Sequence, residues 1–192
     1  MLWATFSIFL FSKNAENCAI NFVNDGSIEV LVGTQSTGQG HETAYAQMVA
    51  ARLNVPFNQV HVIQGDSDYI TSGGGTGGSR SLTAEAWAIR DATNTVIQKG
   101  LEIAADLLEV EPNDIKYIDD DGFCISGTDR KVSFLDVISE AQRLQISLNV
   151  DVKIKVENWT FPNGCHVAEV EIDEDTGVVD LISYGVVDDF GV

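Results

Sequence analysis

The sequence predicts an α+β fold, mixed sheets with packed helices, and three observations carry that prediction. Short alternating apolar and polar runs separated by turns rich in Asp and Gly occupy both ends of the chain. Two segments with helical spacing lie between them. Each of those segments is opened by a glycine-rich loop. With 192 residues, 44% hydrophobic and 21% charged, the chain has the profile of one globular domain or two small ones around a real core.

The elements follow in order. The opening "MLWATFSIFLFSK" has no basic residue before its apolar run and no small-residue cleavage site after it. It is also far short of the roughly 20 residues needed to span a bilayer, so a buried strand is expected rather than a targeting segment or anchor. Residues 17–32 read as two strands around Asn24, Asp25 and Gly26. From His41 to Leu53, Ala44, Met48 and Ala51 recur at helical spacing, and Pro56 marks the stop. A short strand follows at Gln59 to Ile63. The longest periodic segment places Leu82, Ala86, Ile89, Val96, Ile103 and Leu107 on one helix face ending near Pro112. Gly100 inside it costs about 1 kcal/mol relative to Ala, which marks a close packing contact or a break into two helices. "IKYIDDDGFCIS" is a hairpin candidate around Asp121 and Gly122, and Ser133 starts a short helix containing Glu140. The last third is mostly strand: Val150 to Val156, His166 to Ile172, the turn "DEDTG", and Val178 to Val187. Within His166 to Ile172, Glu169 and Glu171 alternate with Ala168, Val170 and Ile172, so one face is expected to be wet.

The formal net charge of -18, with only 11 Lys and Arg, excludes a basic nucleic-acid surface. Cys18, Cys124 and Cys165 are odd in number and widely spaced, which fits neither a disulfide framework nor a CxxC metal knuckle. A reducing, cytoplasmic setting is expected, with no membrane partner. His41, His61 and the cysteines are too scattered for a zinc site, and the acidic runs Asp119 to Asp121 and Asp173 to Asp175 lack the ligand order of a calcium loop. Both acidic runs read as solvated turns.

The two glycine loops, Gly33 to Gly40 and Gly73 to Gly78, hold the chemical information. A helix N-terminus presents unpaired N–H groups and partial positive charge, and glycine lets a ligand approach that backbone. One loop of this kind is commonly only a tight turn. Two together, with Gln39 and His41 beside one and Ser79, Arg80 and Ser81 beside the other, point to a phosphate-bearing cofactor. "GGGTGG" formally matches GxGxxG, but "DSDYITS" before it is not the apolar strand of a dinucleotide-binding unit. No Gly-Lys-Ser or Gly-Lys-Thr of a P-loop occurs.

"GTQSTGQGHETAYAQMVAARLNVP", "GGTGGSRS" and "TFPNGCHVAEVEIDEDTG", in this order, resemble the molybdenum-cofactor-binding large subunit of the xanthine dehydrogenase, aldehyde oxidase and aerobic carbon monoxide dehydrogenase family. The likeness runs from about Glu16 to the end, so residues 1–192 read as one partial molybdopterin-binding region with an atypical start over 1–16. The resemblance implies that both loops bind molybdopterin, or molybdopterin cytosine dinucleotide, with its molybdenum. Gln39 and Gly40 are then expected at the pterin or metal end, flanked by His41 and Glu42. Gly77, Gly78, Ser79, Arg80 and Ser81 are expected at the pyrophosphate. It further implies oxidative hydroxylation with water as the oxygen source, and a glutamate general base.

In the family that glutamate lies beyond a segment like "VVDDFG", so no catalytic residue is expected in this chain, and the isolated chain is expected to be an inactive fragment. Glu42, in the first turn of a helix, and His166, on a strand, are better read as a dipole complement and a packed or edge histidine than as substitute bases. FAD and iron-sulfur clusters are expected only on partner subunits or domains, alongside the remaining segments of the large subunit. The alternative is a non-enzymatic decayed or assembly module that keeps the fold without cofactor.

Overall fold

The computed structural model describes residues 15–70, 72–156, 160 and 163–189. The segment 1–14, which holds the expected opening strand, lies outside them. Contacts divide the chain into two units, one spanning Ser12–Glu157 and one containing the C-terminal hairpin.

In the larger unit, β1 (Ala15–Phe22) and β2 (Ile28–Val32) form the antiparallel hairpin expected around Asp25 and Gly26. Inward positions alternate as Glu16, Cys18 and Ile20 on β1 and Ile28, Val30 and Val32 on β2, all buried. α1 (His41–Leu53) has the predicted limits and ends on Asn54 in the left-handed region. It returns the chain to β3 (Val60–Gln64), which pairs parallel to β2. A helical crossover is what a parallel pair requires. β7 (Val150–Lys155) closes the other side by pairing with β1, giving the sheet order β3, β2, β1, β7.

α2 (Ser81–Leu108) is one continuous 28-residue helix. Gly100 is therefore a packing contact and not a break: a Cβ there would lie 3.0 Å from Phe123 Cζ and 3.2 Å from Val137 Cγ1. The buried face is the predicted one in part. Ile89, Val96 and Ile103 are buried as expected, together with Ala84, Glu85, Ala88, Ala92, Thr93 and Ile97, whereas Leu82 is 50% and Leu107 38% exposed. The stripe is set by small residues that let the helix approach the sheet closely, a feature that ranking by hydrophobicity overlooks. β4 (Ile115–Ile118), β5 (Gly122–Ile125) and β6 (Lys131–Val132) make a small antiparallel sheet. Ser133 caps α3 (Phe134–Leu144) in a reciprocal box with Asp136. Phe123 and Phe134 stack at 5.9 Å beneath α2 in the shared core.

In the smaller unit, β8 (Asn163–Ile172) and β9 (Val179–Asp189) pair antiparallel with a bulge between Glu169 and Val170. The expected alternation is present, but both faces are exposed, Val170 and Ile172 included. His166 is exposed on this two-stranded sheet, the edge alternative of the expectation; it lies 2.9 Å from the Tyr184 hydroxyl and 3.2 Å from the Asp188 carboxylate. The three cysteines are free, with Cys18 buried and Cys165 exposed. Among the described residues no helix is long and apolar enough to cross a membrane, and no group of His, Cys, Asp and Glu is placed to hold a metal.

Candidate functional site

Because β2 and β3 are adjacent and parallel, the loops that follow them leave the same edge of the sheet. Each then enters a helix N-terminus, the first into α1 and the second into α2. The two loops cross in contact. A Cβ on Gly33 would sit 2.5 Å from Gly73 Cα, so only glycine permits this approach. Beyond the crossing, the Gln35 N–H donates to Thr76 Oγ1 at 2.9 Å, and the Thr76 hydroxyl donates to the Gln35 carbonyl at 2.5 Å. The Ser36 N–H donates to Gln64 Oε1 at 2.9 Å, tying the first loop to the end of β3.

Each predicted site residue has a definite place. Gln39 is exposed, and its Oε1 accepts from the Thr37 N–H at 2.5 Å and hydroxyl at 3.1 Å, which leaves its amide NH2 as the outward donor. Gly40, left-handed at φ 78°, is the N-cap of α1. His41 is buried against Tyr45, with ring centroids 5.0 Å apart, and its Nδ1 meets no hydrogen-bond partner. Burial lowers its pKa from the ordinary histidine value, so the ring is neutral at pH 7. Glu42 accepts from Gln64 Nε2, in keeping with a supporting role.

Gly77 lies in open space, and Gly78 and Ser79 take successive left-handed conformations at φ 64° and 53°. Ser81 is the buried first residue of α2. Arg80, expected to reach out to a ligand, is turned inward. It is ion-paired with the fully buried carboxylate of Glu16 and donates to the Gly75 carbonyl at 3.1 Å. Glu16 also accepts from the Gly74 N–H at 3.1 Å. The guanidinium thus fastens the second loop to β1.

Sequence reasoning missed the polar chain beneath the crossing. Glu85 of α2 is fully buried; its Oε2 lies 3.3 Å from the Thr34 hydroxyl, which is 2.9 Å from the Tyr45 hydroxyl. Its Oε1 has no hydrogen-bond partner. Burial first, then the neighbouring Glu16 charge, pushes Glu85 up to a pKa of about 8, so it is neutral at pH 7. The signal was present in the sequence: Glu85 stands four residues before Ile89 on the same helix face, and Glu16 alternates with Cys18 and Ile20.

Electrostatically, Arg80 cancels Glu16 and Glu85 carries no charge, so the interior below the crossing does not repel an anion even in a chain of net charge -18. Neither α1 nor α2 has a side-chain cap, which leaves first-turn N–H groups for an outside acceptor. Around them Gly38, Gly40, Gly75 and Gly77 have nothing within 4 Å of where a Cβ would stand. A groove of about 510 Å³ lined by Phe22, Ile138, Ala141, Gln145 and Leu148 draws no residue from either loop.

The profile of the molybdopterin cofactor-binding domain matches residues 2–192. The chain belongs to this family. It is 33% identical over 172 residues to the carbon monoxide dehydrogenase large chain of Afipia carboxidovorans, covering 86% of this chain and 21% of that one. It is 30% identical over 186 residues to the nicotine 6-hydroxylase large subunit of Paenarthrobacter nicotinovorans, covering 92% and 23%. Among solved structures, a Cu,Mo-CO dehydrogenase in its carbon monoxide reduced state superposes with a TM-score of 0.74 at 31% identity, over 90% of this chain and 22% of that chain. Quinoline 2-oxidoreductase from Pseudomonas putida 86 gives 0.71 at 26% identity, over 94% and 24%.

These matches bear out the α+β fold and the likeness to molybdenum-cofactor-binding large subunits of the xanthine oxidase family. The domain spans about a fifth of the length of the curated relatives it matches. The open glycines and uncapped helix ends over a neutral interior suit an anionic pterin ligand.

Proposed function

We propose that this domain grips molybdopterin between its two glycine loops, as part of a larger molybdenum hydroxylase subunit. The observation that carries this reading is the Gly33 to Gly73 crossing, which brings two uncapped helix N-termini to one edge of the sheet. When bound, molybdopterin or its cytosine dinucleotide form supplies the redox chemistry for oxidative hydroxylation, with water as the oxygen source.

The chain's own residues bind and orient. The Gln39 amide and the backbone at Gly40 and His41 face the pterin end, where an uncharged donor binds without adding charge. Backbone N–H groups and hydroxyls from Gly77, Gly78, Ser79 and Ser81 hold the phosphate end at the start of α2. Arg80 acts at one remove, by neutralising Glu16 and fixing the second loop. The general base comes from elsewhere in the large subunit, and iron-sulfur and flavin groups belong to partner subunits or domains. A cytoplasmic location suits the free cysteines.

The test is to purify the complete large-subunit complex containing this chain and to measure its molybdenum and pterin content. Gly40→Val together with Gly77→Val is expected to reduce both several-fold while the complex stays assembled. Equal content in wild type and double variant would overturn the two-loop assignment and favour a module that keeps the fold without cofactor.

A further inference from the structure

Glu85 is not among the residues proposed to touch the ligand, yet it is placed to influence them. It sits one helical turn below Ser81 at the start of α2 and accepts from the hydroxyl of Thr34, the residue that follows Gly33. A carboxylate at that depth opposes any anion held at the α2 N-terminus, across an interior that screens charge poorly. Its unpartnered Oε1 is a buried polar atom that the fold leaves unsatisfied.

The charged and titratable groups around it are few. β1 presents Glu16 and Cys18; α1 presents Tyr45, with neutral His41 stacked on it; the N-cap of α2 presents Arg80. Asp151 of β7 acts on Cys18. Glu16 is already paired with Arg80, and burial raises the pKa of both Cys18 and Tyr45, so Glu85 is the member of this group poised to gain or lose a proton near neutrality.

We propose that Glu85 is the proton-holding positioning residue of the two-loop site: its carboxyl group, linked to Thr34 and Tyr45 beneath the Gly33 to Gly73 crossing, is protonated whenever the loops hold an anion. Where Glu85 is ionised beforehand, each anion bound draws one proton from water onto its carboxylate. Anion affinity and proton uptake are then two faces of one equilibrium. This inference rests on the two-loop reading above.

Sulfate is the probe, since it does not titrate near neutrality, with chloride at matched ionic strength as the control. In wild-type protein its affinity is expected to fall about tenfold from about pH 7 to about pH 9. In Glu85→Gln the affinity is expected to be flat over that range. Infrared spectra at neutral pH are expected to show a protonated-carboxyl C=O band that Glu85→Gln removes. If that variant fails to fold, proton uptake by unbuffered wild-type protein on sulfate addition decides the matter, with a value approaching one proton per bound anion expected at about pH 9.

Absence of the infrared band in wild type, no proton uptake, or a pH slope that persists in Glu85→Gln would each overturn the inference while leaving the loops as the binding site. Absence of sulfate binding at every pH, with the band present, would instead overturn the two-loop reading and this inference with it.

Discussion

Gly33 and Gly73 touch backbone to backbone, although 39 residues, α1 and β3 among them, separate them in the chain. A methyl group at either position would have to displace main chain, since a Cβ on Gly73 would lie 2.4 Å from Gly33 Cα. Gly33→Ala is expected to destabilise the domain by about 1–3 kcal/mol and to weaken anion binding at the same time. Chemical denaturation together with sulfate titration checks both. Gly26→Ala, in a turn with open space around it, strains only its own left-handed backbone and is expected to leave sulfate binding unchanged.

The Glu16 and Arg80 pair is expected to show its worth only when broken from one side. Arg80→Ala strands a carboxylate with no exposed side-chain surface and is expected to cost on the order of 3 kcal/mol. Adding Glu16→Gln is expected to recover much of that loss, because the uncompensated charge is removed. A urea-unfolding double-mutant cycle measures the coupling; independent, additive losses would show that the pair is not what holds the second loop.

Glu85 makes stability depend on pH in a specific direction. Its folded pKa of about 8 lies above the ordinary glutamate value, so below that ordinary value both states hold the proton and the group adds no slope. Between the ordinary value and about 8 the unfolded chain has lost a proton that the folded chain keeps. Stability therefore falls with rising pH by up to about 1.4 kcal/mol per unit, and above about 8 this contribution is flat. The stability of wild type minus that of Glu85→Gln isolates this profile from the many surface carboxylates. A difference that instead grew with pH would contradict the neutral carboxyl.

Gly100→Ala sets two effects of similar size against each other. Helix propensity favours alanine by about 1 kcal/mol, and overpacking costs about 1–3 kcal/mol. Phe123, whose ring tip would be 3.0 Å away, is fully buried and belongs to an aromatic cluster with Tyr117 and Phe134. The neighbour cannot yield readily, so net destabilisation of about 1 kcal/mol is expected, seen as a lower thermal midpoint. A raised midpoint would mean that the core relaxes around the added methyl.

What the sequence determined by itself is everything governed by neighbours a few residues apart. Asp25 and Gly26 specify a tight turn, His41 to Leu53 a helix with the limits the structure shows, and Ser133 a helix start. Glycines ahead of two helices announce backbone open to a ligand, because glycine's conformational freedom and a helix's unpaired N–H groups are local properties. The tertiary structure alone decided what depends on distant partners. The parallel pairing of β2 with β3 places both loops on one edge, the packing of α2 on β1 turns Arg80 inward to Glu16, and burial beneath the crossing keeps Glu85 neutral. The physical reason is that charge and desolvation act through space, so a residue's protonation and its partner are set by what the fold brings against it and not by its sequence neighbours.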